Sequence, residues 1–266
     1  MWIVKWLVLK SNFICPKLTV LHKNSIPPVM NSIYNTNFAH YYDLMYSWKN
    51  YAKETETIKQ LIAQHKKNNG KRLLEVACGT GNYLQLLQTN FTLTGVDISA
   101  DMLAVATAKL PNIPFVQADM QNFCLNQTFD VLLCLFSSIA YLKNYTELRQ
   151  TLQNFYQHLA VGGVAIIEAF INANKYNPNK VHALYIDTED VKLSRHSTAH
   201  LQDNVLQTTM HTLVTTKAGV EYFVEKHFLN LFEEQKVVAL MQAIGFEVIV
   251  IPNGLMPDRN LYICKK

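Results

Sequence analysis

Between residues 70 and 170, short apolar runs alternate with segments in which apolar residues recur at helical spacing. The mostly apolar runs are four to eight residues long and lie at residues 72–77, 92–96, 115–118, 129–136 and 164–170. Runs of this length are typical of strands that are buried on both faces of a parallel sheet. The pattern therefore predicts five parallel strands.

Segments with helical spacing flank these strands. They lie at residues 49–67, 82–89, 100–109, 146–159 and 233–244. Ser99 is a favourable N-cap for the third segment, and Gly245 should end the last one. Gly162 and Gly163 should close the fourth. Alternating strands and helices predict an α/β, Rossmann-like core with helices on both faces of a mostly parallel sheet.

The pattern changes after residue 170. Residues 191–200, 205–216 and 220–232 alternate between apolar and polar positions and are rich in Val, Thr, Leu and Phe. They predict three antiparallel strands within an inserted β lid over residues 180–232 or so. Strands expected at residues 247–251 and 260–264 complete a seven-stranded sheet.

Residues 1–29 differ from the rest of the chain. They are largely apolar, but Lys5 and Lys10 interrupt the run before it reaches the ~20 residues of a membrane span. A continuous apolar stretch with a small-residue cleavage site, as in a signal peptide, is not evident. We predict a leader or disordered tail, with an interfacial anchor as the alternative, and no stable membrane insertion. Residues 30–266 should form one domain that includes the lid.

Charge argues against a nucleic-acid partner. The formal net charge is +4, but residues 1–29 contain four lysines and no acidic residue. The remaining chain is therefore neutral overall, which does not favour binding to nucleic acid. We expect a small-molecule partner and a monomer or homodimer.

The five cysteines do not indicate a metal site. None lies in a CxxC pair or at zinc-ligand spacing with histidine. An odd number without such a pattern is typical of free thiols in a reducing compartment, so we predict a cytoplasmic protein.

A glycine turn after the first strand is the most informative motif. The turn contains Gly79 and Gly81, but Leu84 stands where a dinucleotide-binding GxGxxG motif has its third glycine. Glu75 precedes the turn, and its carboxylate would repel a pyrophosphate. A carboxylate at this position suits a cofactor that carries positive charge and an ammonium group.

Two further acidic residues end the next two strands. Asp97 follows the second strand, where a carboxylate can accept hydrogen bonds from both ribose hydroxyls. Asp119 follows the third strand, where it can accept a hydrogen bond from the amine of adenine, and Met120 can cover the ring. Carboxyl ends of parallel strands bind ligands in α/β sheets, so we expect these groups to share one site.

The segments LLEVACGTGNY, TGVDIS, QADMQNF and FDVLLCLFSSIAYL resemble successive motifs of the class I S-adenosylmethionine-dependent methyltransferases. The resemblance is specific over residues 70–170 and extends in element order over residues 40–266. It implies an enzyme that uses S-adenosyl-L-methionine. The cofactor-binding residues that it implies are Glu75, Ala77, Gly79, Gly81, Asp97, Ile98, Met102, Asp119, Met120 and Phe136.

A narrower resemblance concerns the acceptor. The segments YDLMY, WKNY and FSSIAY, together with the β lid, resemble the amino-sugar N-methyltransferases, which act on nucleotide-linked amino sugars and share features with glycine N-methyltransferases. The segment RNLY near the carboxyl terminus is similar to the one in which such enzymes hold the nucleotide diphosphate. Tyr141 stands where some relatives have histidine.

These resemblances, together with the position of His196 and His227 on the predicted lid strands, give two sets of candidate residues. Those expected to orient the amine, as the catalytic set, are Tyr42, Tyr46 and Tyr141. Those expected to bind the substrate are Ser137, Ser138, His196, His227 and Arg259.

The expected reaction is N-methylation of a small amine such as an amino sugar. O- or C-methylation of a small metabolite stays open as an alternative. A nucleic-acid or protein methyltransferase is disfavoured, because adenine-amine methylation usually uses a Pro-Pro-aromatic turn where this chain has Leu135-Phe-Ser-Ser. A nicotinamide oxidoreductase is disfavoured by Glu75 and Leu84. A degenerate domain that binds the cofactor or a partner without catalysis is disfavoured, because Glu75, Gly79, Gly81, Asp97 and Asp119 are all intact.

Overall fold

The computed structural model describes residues 36–171, 176–177 and 181–266. Our predictions for residues 1–29 lie outside the described residues.

The central sheet is mostly parallel and has seven strands, as predicted. The strands are β1 (Arg72–Val76), β2 (Thr92–Asp97), β3 (Phe115–Gln117), β4 (Phe129–Cys134), β5 (Leu159–Glu168), β10 (Glu247–Ile251) and β11 (Leu261–Lys265). Their spatial order is β10-β11-β5-β4-β1-β2-β3. β11 runs antiparallel to both of its neighbours, β10 and β5, and the other strands all run in one direction. The carboxyl ends of β1, β2, β4 and β5 therefore meet at one edge of the sheet.

Helices cover both faces of this sheet. They are α1 (Thr36–Met45), α2 (Tyr51–His65), α3 (Asn82–Leu87), α4 (Ala100–Lys109), α5 (Tyr145–His158) and α6 (Glu234–Ile244). Successive residues of one strand face opposite ways: Leu74 packs in the cluster that contains Phe155 and Met241, whereas Leu73 packs with Ile58 and Leu84. Both faces of the sheet are buried under helices, which explains why these strands are apolar at almost every position.

Two helix ends confirm the capping predictions and one corrects them. Ser99 caps α4 by accepting a hydrogen bond from the amide of Met102 at 3.3 Å, and Gly245 ends α6 with a φ of +116°. Gly162 and Gly163, in contrast, do not close α5, because α5 ends at His158 and both glycines lie inside β5. β5 therefore starts earlier than the sequence predicted.

A second, antiparallel sheet is inserted between β5 and α6. It has four strands: β6 (His182–Asp187), β7 (Lys192–Gln202), β8 (Val205–Thr216) and β9 (Gly219–Asn230). The last three were predicted, and β6 was not. The inner face of this second sheet packs on α1 through Leu193 and Val214, which contact Phe38 and Met45. This contact stabilises α1, which the sequence did not predict.

The cysteines only partly fit the prediction of free thiols. Cys78, Cys134 and Cys264 are free and buried. Cys124 is disulfide-bonded, so the prediction is wrong for that residue.

Within the described parts of the chain, helices long and apolar enough to cross a membrane are absent.

Gly163 should be required for the close approach of β4 and β5. A Cβ atom at this position would lie 2.8 Å from the carbonyl oxygen of Ala160 and 2.9 Å from that of Asp130. We expect Gly163→Ala to lower the free energy of unfolding by about 2 kcal/mol, because backbone atoms must shift to admit the methyl group. Urea unfolding measures this change. Val161→Ala is the control, since Val161 is 82% exposed, and equal unfolding midpoints for both variants would contradict the account.

Candidate active site

The turn after β1 has an unusual backbone that leaves an open surface. Ala77, Gly79 and Gly81 have φ values of +57°, +54° and +77°. A Cβ atom at Gly79 would meet nothing within 4 Å, whereas one at Gly81 would lie 3.1 Å from Leu110. Gly81 therefore serves close packing of α3 on α4, and Gly79 leaves the turn accessible to a ligand.

Asp97 connects the ends of β1 and β2. Its carboxylate accepts hydrogen bonds from the amide of Gly79 at 2.7 Å and from the amide of Ser99 at 2.9 Å. Burial raises the pKa of Asp97, although the hydrogen bonds from Ser99 and Gly79 act in the opposite direction. A hydrogen-bond donor or a cation beside this carboxylate would therefore stabilise its ionised form.

Glu75 lies beside Asp97 and is only 2% exposed. Among the described residues, no donor lies within hydrogen-bond distance of its Oε2 atom. Burial raises the pKa of Glu75 well above its usual range, the Asp97 carboxylate raises it further, and Lys109 offsets this in part. Two buried carboxyl groups so placed favour a ligand with positive charge. A sulfonium cofactor with an ammonium group fits this edge of the sheet, and a pyrophosphate does not.

The residues expected around adenine line the next part of the edge. Asp119 lies two positions beyond β3 and accepts a hydrogen bond from the amide of Gln121 at 2.8 Å. Met120 is partly buried against the core, and its carbonyl oxygen is 3.3 Å from the side-chain amide of Asn154. Ile98 is 53% exposed, and Met102 is buried.

The loop after β4 holds two consecutive residues in the left-handed region. Phe136 and Ser137 have φ values of +52° and +61°, which costs energy for residues with side chains. The amide of Phe136 donates to Glu168 at 2.6 Å, and the hydroxyl of Ser137 donates to the carbonyl oxygen of Ala169 at 2.7 Å. Backbone conformations of this kind are often found at functional sites.

Two cations flank the ring of Phe136. The ammonium group of Lys49 lies 4.6 Å from the ring centroid, and the guanidinium carbon of Arg259 lies 5.4 Å from it. Arg259 also lies over Phe170 at 5.2 Å and donates to the hydroxyl of Ser137 at 3.2 Å. The structure thus brings three predicted residues, Phe136, Ser137 and Arg259, into contact. Ser138, also predicted, donates instead to the backbone carbonyl of Leu135.

Lys49 belongs to a buried polar cluster that sequence reasoning missed. Its ammonium group is 2.6 and 2.7 Å from the two carboxylate oxygens of Glu54, which also accepts a hydrogen bond from the hydroxyl of Tyr83 at 2.5 Å. Lys49 and Glu54 are five positions apart, so helical spacing gave no sign of the pair. The cluster fixes the start of α2 on α3.

Tyr42 of α1 and Tyr46, which directly follows α1, face the same edge. The rings of Tyr42 and Tyr46 are 4.7 Å apart, and Tyr46 contacts Phe136 edge-on at 5.1 Å. Burial raises the pKa of Tyr42 well above its usual range, and charges on Tyr46, Tyr51, Tyr141 and Asp97 would raise it further. Tyr42 therefore lies near both the Asp97 carboxylate and the third predicted tyrosine, Tyr141.

Asp43 fixes α1 over the glycine turn, and sequence reasoning missed this role. Its carboxylate accepts hydrogen bonds from the hydroxyl of Thr80 at 2.5 Å and from the side-chain amide of Asn82 at 2.8 Å. Lys109 of α4 donates to it at 2.8 Å. The three partners come from two segments, the glycine turn with the start of α3 and the end of α4, and both are far from Asp43 in sequence, so only the fold relates them to it.

The two histidines predicted to bind substrate lie on opposite faces of the second sheet. His227 is buried on the inner face, and its Nδ1 atom is 2.8 Å from the hydroxyl oxygen of Tyr141. His196 is exposed on the outer face, with its ring 5.5 Å from that of Tyr185. The structure therefore brings His227, but not His196, to the predicted tyrosines.

Comparisons with known proteins agree with this geometry. Residues 73–163 match the family model described as a methyltransferase domain. The dTDP-3-amino-3,6-dideoxy-alpha-D-glucopyranose N,N-dimethyltransferase of Streptomyces fradiae is 30% identical over 225 residues, covering 83% of this chain and 88% of that protein. This chain belongs to the class I S-adenosylmethionine-dependent methyltransferases.

Two solved structures of sugar methyltransferases share the fold of this methyltransferase. DesVI of Streptomyces venezuelae superposes with a TM-score of 0.81 at 30% identity, covering 87% of this chain and 99% of that one. CalS10 of Micromonospora echinaspora, an amino pentose methyltransferase solved with S-adenosylmethionine bound, superposes with a TM-score of 0.75 at 26% identity and covers 92% and 100%. The methyltransferase is an enzyme that uses S-adenosylmethionine, and its substrate is a small molecule.

Removing the charge of Asp43 should weaken cofactor binding. Asp43→Asn loses the ion pair with Lys109, so α1 is held less firmly over the glycine turn. We expect the Kd for S-adenosylmethionine, measured by calorimetry, to rise about tenfold, which corresponds to one charge-assisted hydrogen bond or ~1.4 kcal/mol. Glu56→Gln on the exposed face of α2 is the control. An unchanged Kd would show that Asp43 does not position α1.

The same carboxylate should make stability depend on pH. Burial acts to raise the pKa of Asp43, but hydrogen bonds from Lys109, Thr80 and Asn82 outweigh it, so the pKa is lowered. Ionised Asp43 therefore stabilises the fold above its unfolded-state pKa of about 3.9, and this contribution is lost as the pH falls through the lower folded-state value. Urea unfolding should show Asp43→Asn less stable than the wild type near neutral pH, with the difference shrinking in acid. A difference that is constant with pH would contradict this assignment.

Proposed function

We propose that this methyltransferase transfers the methyl group of S-adenosylmethionine to the amine of a nucleotide-linked amino sugar. The observation that carries the proposal is the placement of Arg259. Its guanidinium lies over the rings of Phe136 and Phe170 and donates to the hydroxyl of Ser137. A cation so held can bind a phosphate group. The Streptomyces fradiae relative acts, by its name, on a dTDP-linked amino sugar.

Residues of β1, β2 and the following turns would hold the cofactor. Glu75 would face its ammonium group, Asp97 would accept hydrogen bonds from the ribose hydroxyls, and Asp119 would accept one from the adenine amine. The turn formed by Ala77, Gly79 and Gly81 would admit the methionine part of the cofactor. The side chains of Ile98, Met102, Met120 and Phe136 would provide apolar contact. When bound, the cofactor supplies an electrophilic methyl group.

The protein would contribute to catalysis mainly by positioning the amine and the methyl group and by excluding water. Direct displacement requires the amine nitrogen to lie in line with the methyl group and its leaving sulfur. Tyr42, Tyr46 and Tyr141 line the space between Asp97 and the second sheet, and their hydroxyls can orient an amine by hydrogen bonds. The second sheet packs on α1, and together they would keep water from the reacting atoms. An amine must lose its proton before transfer, so it needs a proton acceptor or must arrive neutral.

The proposal places the enzyme in the cytoplasm, which the three buried free thiols of Cys78, Cys134 and Cys264 support, and takes it as a monomer or homodimer. Nucleic acid is not proposed as a substrate, because residues 30–266 carry no net charge. His227, Ser137, Ser138 and Arg259 are proposed to contact the substrate, and His196 is left out because it lies on the outer face of the second sheet.

Mass spectrometry of reaction products tests the acceptor. The enzyme is incubated with S-adenosylmethionine and a dTDP-linked 3-amino sugar, with the free amino sugar and with the matching dTDP-linked 3-hydroxy sugar. We expect methylation of the first compound, little of the second and none of the third. Methylation of the hydroxy sugar would show an oxygen acceptor instead and would overturn the proposal.

Arg259 should contribute to substrate binding and not to cofactor binding. We expect Arg259→Met to raise KM for the dTDP-linked substrate by about tenfold to a hundredfold, the loss expected for hydrogen bonds to a charged group. The Kd for S-adenosylmethionine should stay unchanged. Arg149→Met, on the exposed face of α5, is the control. Equal KM values for both variants would rule out Arg259 as the phosphate-binding residue.

A further inference from the structure

Glu168 is a fully buried acidic residue at the carboxyl end of β5, and the proposed cofactor and substrate contacts do not include it. The preceding residues on the same face of β5, Val164 and Ile166, are apolar and completely buried. Among the described residues, the Oε1 atom of Glu168 has no hydrogen-bond partner. A carboxyl group in such surroundings is costly to bury, so stability alone would favour an apolar side chain here.

The other carboxylate oxygen of Glu168 holds the loop after β4. Its Oε2 atom accepts a hydrogen bond from the amide of Phe136 at 2.6 Å. Phe136 and Ser137 are the two consecutive residues of this loop in the left-handed region. That conformation costs energy for residues with side chains, and a hydrogen bond to a charged acceptor is strong enough to offset much of the cost. Glu168 therefore stabilises a backbone that these two residues would otherwise seldom adopt.

The hydroxyl of Ser137 connects the same loop to the residue that follows Glu168. It donates to the carbonyl oxygen of Ala169 at 2.7 Å, and the amide of Ala169 donates to the carbonyl oxygen of Asn260 at 2.8 Å. Arg259, the neighbour of Asn260, donates to the hydroxyl oxygen of Ser137 at 3.2 Å. The end of β5, the loop after β4 and the segment that carries Arg259 are therefore joined by hydrogen bonds.

Two cations act on the carboxyl group of Glu168. Burial raises the pKa of Glu168, the charges of Arg259 and Lys49 and the amide of Phe136 oppose this effect, and Glu54 adds to it. The same two cations flank the ring of Phe136, with the ammonium group at 4.6 Å and the guanidinium carbon at 5.4 Å from its centroid. Glu168 therefore places an acidic group beside the two cations that flank the loop.

The loop after β4 joins the two proposed ligand sites. Phe136 is proposed to contact the cofactor, and its ring meets that of Tyr46 at 5.1 Å. Ser137 and Arg259 are proposed to contact the substrate, with the guanidinium as the phosphate-binding group. Because Phe136 and Ser137 are consecutive, a displacement of the loop would move both contacts together. A residue that fixes the loop would therefore affect the binding of both ligands.

We propose that Glu168 is a positioning residue, which holds the loop after β4 in the conformation that binds both the cofactor and the phosphate groups of the substrate. The phosphate half of the inference rests on the proposed function, whereas the cofactor half needs only the binding of S-adenosylmethionine. The acting group is the oxygen that accepts from the amide of Phe136, so a side chain that keeps this oxygen should keep both affinities. Glutamine keeps it, and leucine, which is of similar size, does not.

Calorimetry with two ligands tests the proposal. S-adenosylmethionine and dTDP are titrated separately into the wild type, Glu168→Leu and Glu168→Gln. We expect Glu168→Leu to raise both Kd values about tenfold, the loss expected for one charge-assisted hydrogen bond. Glu168→Gln should change them by about threefold or less, because a neutral acceptor still takes the amide proton, although more weakly. Unchanged Kd values in Glu168→Leu would overturn the proposal, and so would equal losses in both variants.

The sign of the change in dTDP binding separates the loop from simple electrostatics. Removal of a negative charge beside Arg259 would by itself strengthen the binding of an anion. Weaker binding of dTDP to Glu168→Leu would therefore come from a displaced loop, as the proposal requires. Tighter binding of dTDP to this variant would show that Glu168 acts only through its charge, which would overturn the proposal.

Two further variants serve as comparisons. Gly163→Ala lies earlier in β5 and is expected to lower the free energy of unfolding, but it should leave both Kd values unchanged because it does not touch the loop. Arg259→Met should weaken the binding of dTDP alone. A loss of both affinities in Gly163→Ala would show that any damage to β5 has this effect, which would overturn the proposal.

Hydrogen exchange measured by NMR tests the contact itself, even if Glu168→Leu folds poorly. In the wild type without ligands, we expect the amide proton of Phe136 to be protected from exchange as strongly as the amides of β4. Rapid exchange, as in an exposed loop, would overturn the proposal. Failure of dTDP to bind the wild type would overturn the proposed function and the phosphate half of the inference, whereas an unchanged Kd for S-adenosylmethionine in Glu168→Leu would overturn the inference alone.

Discussion

Two buried carboxyl groups at the ends of adjacent parallel strands set the main constraint on this site. Glu75 and Asp97 lie beside each other, and burial raises the pKa of both. Their ionised forms are stabilised by a ligand that brings positive charge, which a sulfonium cofactor with an ammonium group does. Because β1 lies next to β2, the two carboxyl groups are close together and favour a cationic cofactor, whatever the substrate.

The other parts of the structure enclose this edge of the sheet. Asp43 holds α1 across the glycine turn, and the second sheet packs on the other side of α1. Tyr46, which directly follows α1 and contacts Tyr42, thereby reaches the loop after β4, where Phe136 and Ser137 adopt a strained backbone. Segments far apart in the chain thus meet at this edge of the sheet. In the proposed function, a cofactor at the strand ends and an anion at Arg259 would hold the acceptor between them.

The features that could be predicted from the sequence are those that depend on short-range patterns of apolar and polar residues. The strands of the central sheet, the cap at Ser99 and the acidic residues at strand ends follow from apolar runs and from the rule that parallel strands end at one edge. Helix α1 was missed because its stability comes from packing on Leu193 and Val214 of the second sheet. The role of Asp43 was missed because its partners are distant in sequence. His196 could not be separated from His227 without the register of the second sheet.

Proton release on cofactor binding tests the central claim most directly. Calorimetric titration of S-adenosylmethionine in buffers of different ionisation enthalpy counts the protons released. Because the pKa of Glu75 is raised in the protein alone, a bound cation should lower it and drive a proton into the buffer. The account predicts net proton release by the wild type in the pH range in which Glu75 titrates, loss of this release in Glu75→Gln, and no binding of NAD. Binding of S-adenosylmethionine without proton release at any pH, or tight binding of NAD, would contradict it.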